Sequence, residues 1–230
     1  MAEQIVELAR GNGALHGGGV RLREVPYRLF RRMDRPVTPE AGGSSGPIEG
    51  SLDIAGIAEA TVLAGVDDLV LQCEDGQQIA IALTSSSGGF CLKGAMRGPD
   101  GLRDFARRYT AAWCGQDAAK VAAFFSADGS LTVNDQAPAI GRAAITGVAQ
   151  GFMSAFPDLQ VLMDDVVEDG PRVTYRWTLV GTNAGPGGTG RPVRISGFEE
   201  WQLAEDGLIA RSLGHFDAQE YQRQLDGRST

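Results

Sequence analysis

The chain has 230 residues, of which 43% are hydrophobic, and its formal net charge is -8 at pH 7. This length allows one large domain or two small ones with enough apolar material for a packed core. The acidic balance argues against nucleic acid or an anionic membrane as a partner, because both attract a cationic surface.

Three cysteines, Cys73, Cys91 and Cys114, and two histidines, His16 and His215, are spread along the chain. None of them has the spacing of a zinc site, so we expect no bound metal. A bridge between Cys73 and Cys91 is possible, but reduced, buried thiols fit an odd number of cysteines better.

The beginning of the chain has no features of a secretory signal, because Met1–Arg10 contains two glutamates and no apolar run. Elsewhere no apolar stretch reaches the roughly 18 residues that a membrane span requires. We therefore expect a cytoplasmic protein that does not enter a membrane.

Residues 1–98 predict a small all-β domain. Glycine-rich segments at residues 11–19 and 41–50 indicate loops, and the alternation from Val20 to Phe30 indicates a strand. Two further short apolar-rich runs add strand candidates, at residues 51–54 and 59–64.

A β-hairpin is predicted next, where Asp68–Cys73 and Gln78–Thr84 flank the turn sequence Glu74-Asp75-Gly76. Phe90–Lys93 completes a meander of five or six strands, as in a barrel or a sandwich. The Gly-Pro-rich segment Met96–Gly101 then marks a domain boundary near residue 98.

Residues 99–230 begin with predicted helices. Asp100 can cap the first, whose apolar positions Leu102, Phe105, Tyr109 and Trp113 recur at helical spacing. The other elements expected before the sheet are a helix over 117–126, a turn at Asp128, a short strand over 131–134 and a helix over 141–156.

Four strands follow and form the end of the domain. Their alternating patterns cover residues 159–167, 172–182, 191–203 and 208–217, and a short helix over 218–225 closes the chain. Helices followed by a curling antiparallel sheet define the α+β class.

Residues from about 102 to 225 resemble the SnoaL-like polyketide cyclases of the nuclear-transport-factor-2-like superfamily, in which three helices pack against a curved sheet to form a cone. No resemblance extends to residues 1–98. The matching segments occur in the family's order: Tyr109-Thr-Ala-Ala-Trp113, Gly141-Arg-Ala-Ala-Ile145, Phe156-Pro-Asp158, Trp177-Thr-Leu-Val-Gly-Thr182, Glu205-Asp-Gly-Leu-Ile209 and Phe216-Asp217.

The chain also departs from the family pattern. A tryptophan often precedes the final aspartate, but here that stretch holds Leu213 and Gly214. The middle of the preceding strand commonly carries histidine or aspartate, but here the corresponding position is Glu199. These differences imply a pocket that differs from that of a typical cyclase.

The alternation of side chains along strands places Glu199, His215 and Asp217 on one face, together with Trp177 and Trp201, provided that no β-bulge shifts the register. These three ionisable residues are the predicted catalytic group. The predicted pocket lining is aromatic and consists of Tyr109, Trp113, Phe125, Phe152, Trp177 and Trp201.

Each of the three has a structural alternative. The resemblance implies that Asp217 is a general acid/base, but it could instead cap the helix that begins at Ala218. His215 could polarise a carbonyl group or be structural. Glu199 could act chemically or form an ion pair with Arg211 or Arg176.

Two functions remain open at this point. One is a cofactor-free cyclase, isomerase or epoxide hydrolase that acts on an apolar, oxygenated small molecule. The other is a non-catalytic protein that binds a small molecule or assembles as a homodimer through the sheet of residues 99–230. The residues alone do not decide between them.

Overall fold

The computed structural model describes residues 4–33, 45–54, 62–63, 65–66, 68–96 and 98–227. The chain forms two compact units. The first unit is Met1–Asp104 with Glu205–Gly207, and the second is Phe105–Ala204 with Leu208–Thr230. The division into independent domains at residues 98 and 99 stays a prediction.

The first unit contains a closed barrel of six strands in the order β1-β2-β3-β6-β5-β4. Its core is made of aliphatic side chains such as Leu15, Leu29 and Leu71, with the ring of Phe90. The strands are β1 (Gln4–Gly17), β2 (Val20–Met33), β3 (Ser45–Leu52), β4 (Val70–Gln72), β5 (Gln78–Leu83) and β6 (Gly89–Leu92).

The predicted hairpin is confirmed as β4 paired with β5. The loop expected at residues 11–19 is wrong except for the turn at 18–19, because β1 runs to Gly17. Of the loop expected at 41–50, residues 45–50 belong to β3 and residues 41–44 lie outside the described residues. Within these strands glycine permits close packing: a Cβ at Gly50 would lie 2.1 Å from Cζ of Phe90.

Two sequence expectations for this unit have other outcomes. Of the strand expected over residues 59–64, Val62 and Leu63 are helical and the remainder lies outside the described residues. Cys73, Cys91 and Cys114 are all free thiols, so the alternative of a Cys73–Cys91 bridge is not realised.

The second unit is a mixed α+β structure. Its helices are α1 (Pro99–Cys114, which begins in the first unit), α2 (Ala118–Ala122), α3 (Gly141–Ala155) and α4 (Ala218–Asp226). Its strands are β7 (Phe125–Val133), β8 (Ala139–Ile140), β9 (Gln160–Asp169), β10 (Arg172–Thr182), β11 (Pro192–Leu203) and β12 (Ile209–Phe216).

The sheet has the order β8-β7-β12-β11-β10-β9. The sequence predicted an antiparallel sheet. The observed sheet is mixed, because β12 pairs with β7 in parallel. The strand pairs β9–β10, β10–β11 and β11–β12 are antiparallel, so the long C-terminal strands form the expected meander.

The segment between α1 and α3 differs most from its prediction. The helix expected over 117–126 ends at Ala122, although Asp117 caps it as its side chain accepts from Lys120 N. β7 then begins at Phe125 and runs through Asp128, where a turn was expected. Gly129 permits this course, because a Cβ there would lie 2.8 Å from the Ile209 carbonyl oxygen on the paired strand.

The helices of the described residues include none that is long and apolar enough to span a membrane.

Candidate functional site

Glu199 is a buried acid on β11, and only 7% of its surface is exposed. It shares the inward face of the sheet with the fully buried Trp201, two residues further along the strand. On the neighbouring strand β10 its pairing partner is Tyr175, which is also buried. The alternation predicted for β10 and β11 therefore holds.

Three donors hold the Glu199 carboxylate. Ser212 Oγ and Trp201 Nε1 donate to Oε2 at 2.6 and 2.8 Å. The Tyr109 hydroxyl lies 3.3 Å from both carboxylate oxygens. Oε2 is thus firmly held, whereas Oε1 has only the long contact with Tyr109.

The environment of Glu199 favours its neutral form. Burial raises the pKa of the Glu199 carboxyl group above its usual value, and the hydrogen bonds from Ser212, Trp201 and Tyr109 oppose this rise. No cationic side chain of the described residues pairs with it. The predicted alternative of an ion pair with Arg211 or Arg176 is therefore not realised.

Beside Glu199 lies a cavity of about 60 Å³. Its wall is almost entirely apolar, and Glu199 is the only lining residue with a carboxylate, amine, guanidinium or imidazole group. The aromatic rings around it include Trp113, Phe152, Trp177 and Phe216. Since these four side chains are only half-buried, the cavity lies close to solvent.

The six aromatic residues predicted to line the pocket divide into two sets. Trp113, Phe152 and Trp177 do line the cavity. The other three are fully buried in an aromatic cluster: the ring of Tyr109 meets that of Trp201 edge to face at 5.3 Å and that of Phe125 at 6.4 Å.

The expected convergence of Glu199 with His215 and Asp217 does not occur. Gly214 is the β12 residue paired with Glu199, and His215 pairs with Phe198. His215 therefore faces the opposite side of the sheet, where its ring stacks on that of Phe198 at 4.9 Å. Its Nε2 lies 3.9 Å from Glu200 Oε2.

His215 faces the opposite side from the predicted one because of a local irregularity in β12. The register between β11 and β12 is interrupted between Gln202 and Leu203, and the pairing of β12 with β7 is interrupted between Ile209 and Arg211. A bulge moves every later side chain to the other face, because the period of a strand is two residues.

Asp217 takes the alternative role that the sequence allowed. Its Oδ1 accepts hydrogen bonds at 2.9 Å from the backbone N–H groups of Gln219 and Glu220, as an N-cap of α4. The side chain is exposed and does not line the cavity beside Glu199.

Sequence reasoning missed the residues of β12 that do face Glu199. Ser212 donates to its carboxylate, and Gly214 and Phe216 line the cavity. The alternating pattern gave no signal for them, because the bulge reverses it. Gly214 leaves open space, since a Cβ there would have ordinary contacts of 3.4 Å with Thr132 O and 3.7 Å with Glu199 Cγ.

A metal-centred site has no support within the described residues, which contain no cluster of three or more histidine, cysteine, aspartate or glutamate residues that could hold an ion. The described residues instead place one carboxyl group, that of Glu199, beside the apolar cavity, with a phenol, an indole and a hydroxyl group as its hydrogen-bond donors.

The second unit is thus a mixed α+β structure with a buried acid beside an aromatic-lined cavity. Residues 106–212 match the family model of the SnoaL-like domain. No curated protein matches the chain.

Two solved structures with a TM-score of 0.50 share the fold over part of this chain. AclR of Streptomyces galilaeus is 22% identical, with a TM-score of 0.50, over 58% of this chain and 85% of its own. TsrD of Streptomyces laurentii is 20% identical, with a TM-score of 0.50, over 56% and 98%. A hypothetical protein with a ketosteroid isomerase-like fold from Catenulispora acidiphila is 18% identical, with a TM-score of 0.48, over 52% and 90%.

Proposed function

We propose that the SnoaL-like unit is a cofactor-independent acid/base enzyme of the cyclase or isomerase kind, acting on an apolar, oxygenated small molecule. The observation that carries this proposal is the Glu199 carboxyl group, buried beside an apolar cavity with one oxygen lightly engaged. A carboxyl group whose pKa is raised by burial exchanges protons near neutral pH more readily than an exposed one.

The chemistry assigned to Glu199 is proton transfer at a carbon next to a carbonyl group. The ionised carboxylate takes a proton from that carbon, and the electron pair moves toward the carbonyl oxygen to give an enolate. The carboxylic acid formed then returns the proton to the same or a neighbouring carbon. Ser212 and Trp201 fix the carboxyl plane, so that Oε1 is the reactive oxygen.

This proposal moves the acid/base role away from Asp217 and His215. Asp217 caps a helix, and the ring of His215 stacks on Phe198 on the other face of the sheet. Neither group lines the cavity beside Glu199.

The test is deuterium exchange at the α-carbons of cyclopentanone in D₂O, followed by proton NMR. We expect the wild-type protein to speed exchange above the buffer rate and Glu199→Gln to abolish the effect. Asp217→Asn is the matched control and should exchange at the wild-type rate, because Asn is also an N-cap residue. Unchanged exchange in a folded Glu199→Gln variant would exclude the proposed role.

A non-catalytic assembly protein is the second candidate, favoured by apolar groups on the outer face of the sheet. Leu162 on β9 is 45% exposed there, and Phe198 on β11, two strands away in the sheet order, is half-buried on the same face. We propose that such a protein forms a homodimer through this face. Sedimentation equilibrium should then show a dimer that Leu162→Glu converts to a monomer, and a wild-type monomer would reject this candidate.

A further inference from the structure

Trp177 lines the cavity, and its indole ring carries a buried polar group without a partner. Its indole Nε1 is buried and has no hydrogen-bond partner among the described residues. Buried N–H groups are nearly always paired in native proteins, so an orphaned one needs an explanation. The other tryptophan of the wall, Trp113, has no such buried, unpaired nitrogen.

The sheet places Trp177 and Glu199 as neighbours. Trp177 pairs with Gly197 on β11, two residues before Glu199, and both side chains line the cavity. Such diagonal positions on one face of an antiparallel pair are about 7 Å apart. The two side chains therefore lie within reach of one small ligand.

The position of the Trp177 ring is fixed by its surroundings. Its Cζ2 would lie 2.6 Å from a Cβ at Gly197, so the ring occupies the space that any side chain there would need. The ring also packs near Phe216, with 6.4 Å between centroids. A donor on a ring held in this way is preorganised, and a ligand need not order it on binding.

We propose that the Trp177 N–H is the oxygen anchor of the site, and that the ligand is an uncharged carbonyl compound. This inference rests on the function proposed above. An anionic ligand is disfavoured, because the wall offers no cation and contains the Glu199 carboxyl group. A hydrocarbon would leave the indole N–H unpaired, so the site selects for one acceptor oxygen in an otherwise apolar molecule.

In the proton transfer, the anchor acts where charge develops. As Glu199 Oε1 accepts the α-proton, the C–H electron pair forms a C=C bond and the carbonyl oxygen gains negative charge. The Trp177 N–H donates to that oxygen throughout, and the proton held by Glu199 is returned to carbon. No oxidant, reductant or further reactant is needed, and the donor stabilises the enolate more than the ketone.

The first test compares two probes of the same shape, cyclopentanone and methylenecyclopentane, whose binding is measured by ligand-observed NMR. Wild-type protein should prefer the ketone. Trp177→Phe should lower ketone affinity about three- to ten-fold relative to the alkene, as expected for loss of one hydrogen bond. The control variant Asp217→Asn, at an exposed residue that does not line the cavity, should leave the ratio unchanged. An unaltered ratio in Trp177→Phe, or no ketone binding by the wild type, would overturn the anchor.

A second variant tests whether the loss of ketone preference comes from the missing N–H donor or from disturbed packing of the Trp177 ring over Gly197. Incorporation of 3-benzothienylalanine at position 177 replaces the indole N–H with sulfur and keeps the ring shape. It should reproduce the loss of ketone preference at unchanged thermal stability. If ketone preference persists in this variant, the donor assignment is wrong.

Deuterium exchange separates this inference from the proposed function. Glu199→Gln should abolish exchange yet keep the ketone preference, whereas both position-177 variants should lose the preference and slow exchange, by about a hundred-fold if the donor acts like one oxyanion-hole group. Absent exchange in the wild type, with a preference that depends on Trp177, rejects the enzyme and supports the anchor. Normal exchange and preference in the position-177 variants reject the anchor alone.

Discussion

Ser212 donates a 2.6 Å hydrogen bond to Oε2 of Glu199 across the pair of strands β11 and β12. Ser212 has no exposed surface, so water does not compete for this contact. The hydroxyl group is therefore the principal support that holds the ionised form of the carboxyl group in an otherwise unfavourable environment.

Removal of this support should raise the pKa of Glu199 further. In Ser212→Ala the charged carboxylate loses a donor that lowers the pKa, while burial continues to raise it. Carbon-13 NMR of selectively labelled glutamate measures the change. Ser196→Ala, which removes a hydroxyl bonded to Thr178 instead, should leave the titration of Glu199 unaltered. A lower pKa in Ser212→Ala would contradict this account.

The raised pKa of Glu199 also predicts a pH dependence of stability. The usual value of the group is 4.5 and the folded value is higher, so the folded state binds the proton more tightly. The stabilisation is complete below pH 4.5 and is lost as the pH rises through the folded pKa.

Urea unfolding of the full chain, followed by circular dichroism at several pH values, measures this effect. The free energy of unfolding of the wild type minus that of Glu199→Gln should fall over that pH range and then become constant. Subtracting the two free energies removes the contributions of acids whose pKa is shifted in the opposite direction. One of these is Asp158, whose pKa is lowered by the Thr182 backbone N–H. A difference that rises with pH would show that Glu199 is stabilised as an anion.

Two glycines of the site should respond oppositely to alanine. At Gly214 the new methyl group would enter the open space near Glu199 at 3.7 Å from its Cγ, so the fold should tolerate Gly214→Ala and cyclopentanone should bind more weakly. At Gly197 a Cβ would lie 2.4 Å from the His215 carbonyl oxygen, so Gly197→Ala should destabilise the unit by about 1–3 kcal/mol. Thermal unfolding and ligand-observed NMR measure both effects, and equal destabilisation would contradict the geometry.

Asp217 should matter for stability and not for proton transfer. Asp217→Ala removes the acceptor for two backbone N–H groups of α4 and should cost about 1 kcal/mol. Asp217→Asn should cost much less, and both variants should exchange cyclopentanone α-protons as the wild type does. Loss of exchange in a folded Asp217→Asn variant would restore the role that the family resemblance implied.

The fold of the second unit was largely accessible from the sequence, because its signals are local and mutually consistent. The aromatic positions of α1 recur at helical spacing, and turn residues separate the long strands β9 to β12. The resemblance to SnoaL-like proteins rested on the same segments, and the matched domain agrees with it.

The site was only partly accessible, because its composition depends on register. Glu199 and Trp201 lie on strands whose alternation is regular, so their inward orientation was predictable. His215 and Ser212 follow a bulge, which depends on tertiary pairing between β12 and its two neighbours and leaves no composition signal. The strands β1 and β3 were missed for a related reason, since their glycines are explained only by the side chains that pack over them.

Trp201 contacts both the carboxyl group of Glu199 and the ring of Tyr175. Its Nε1 donates to the Glu199 carboxylate, and its ring stacks on that of Tyr175 with 4.7 Å between centroids. A change of charge on the carboxyl group therefore occurs within hydrogen-bonding distance of a rigid indole. Protonation of Glu199 should therefore change the fluorescence emission of Trp201. The titration of the candidate acid can be followed in this way without any added dye.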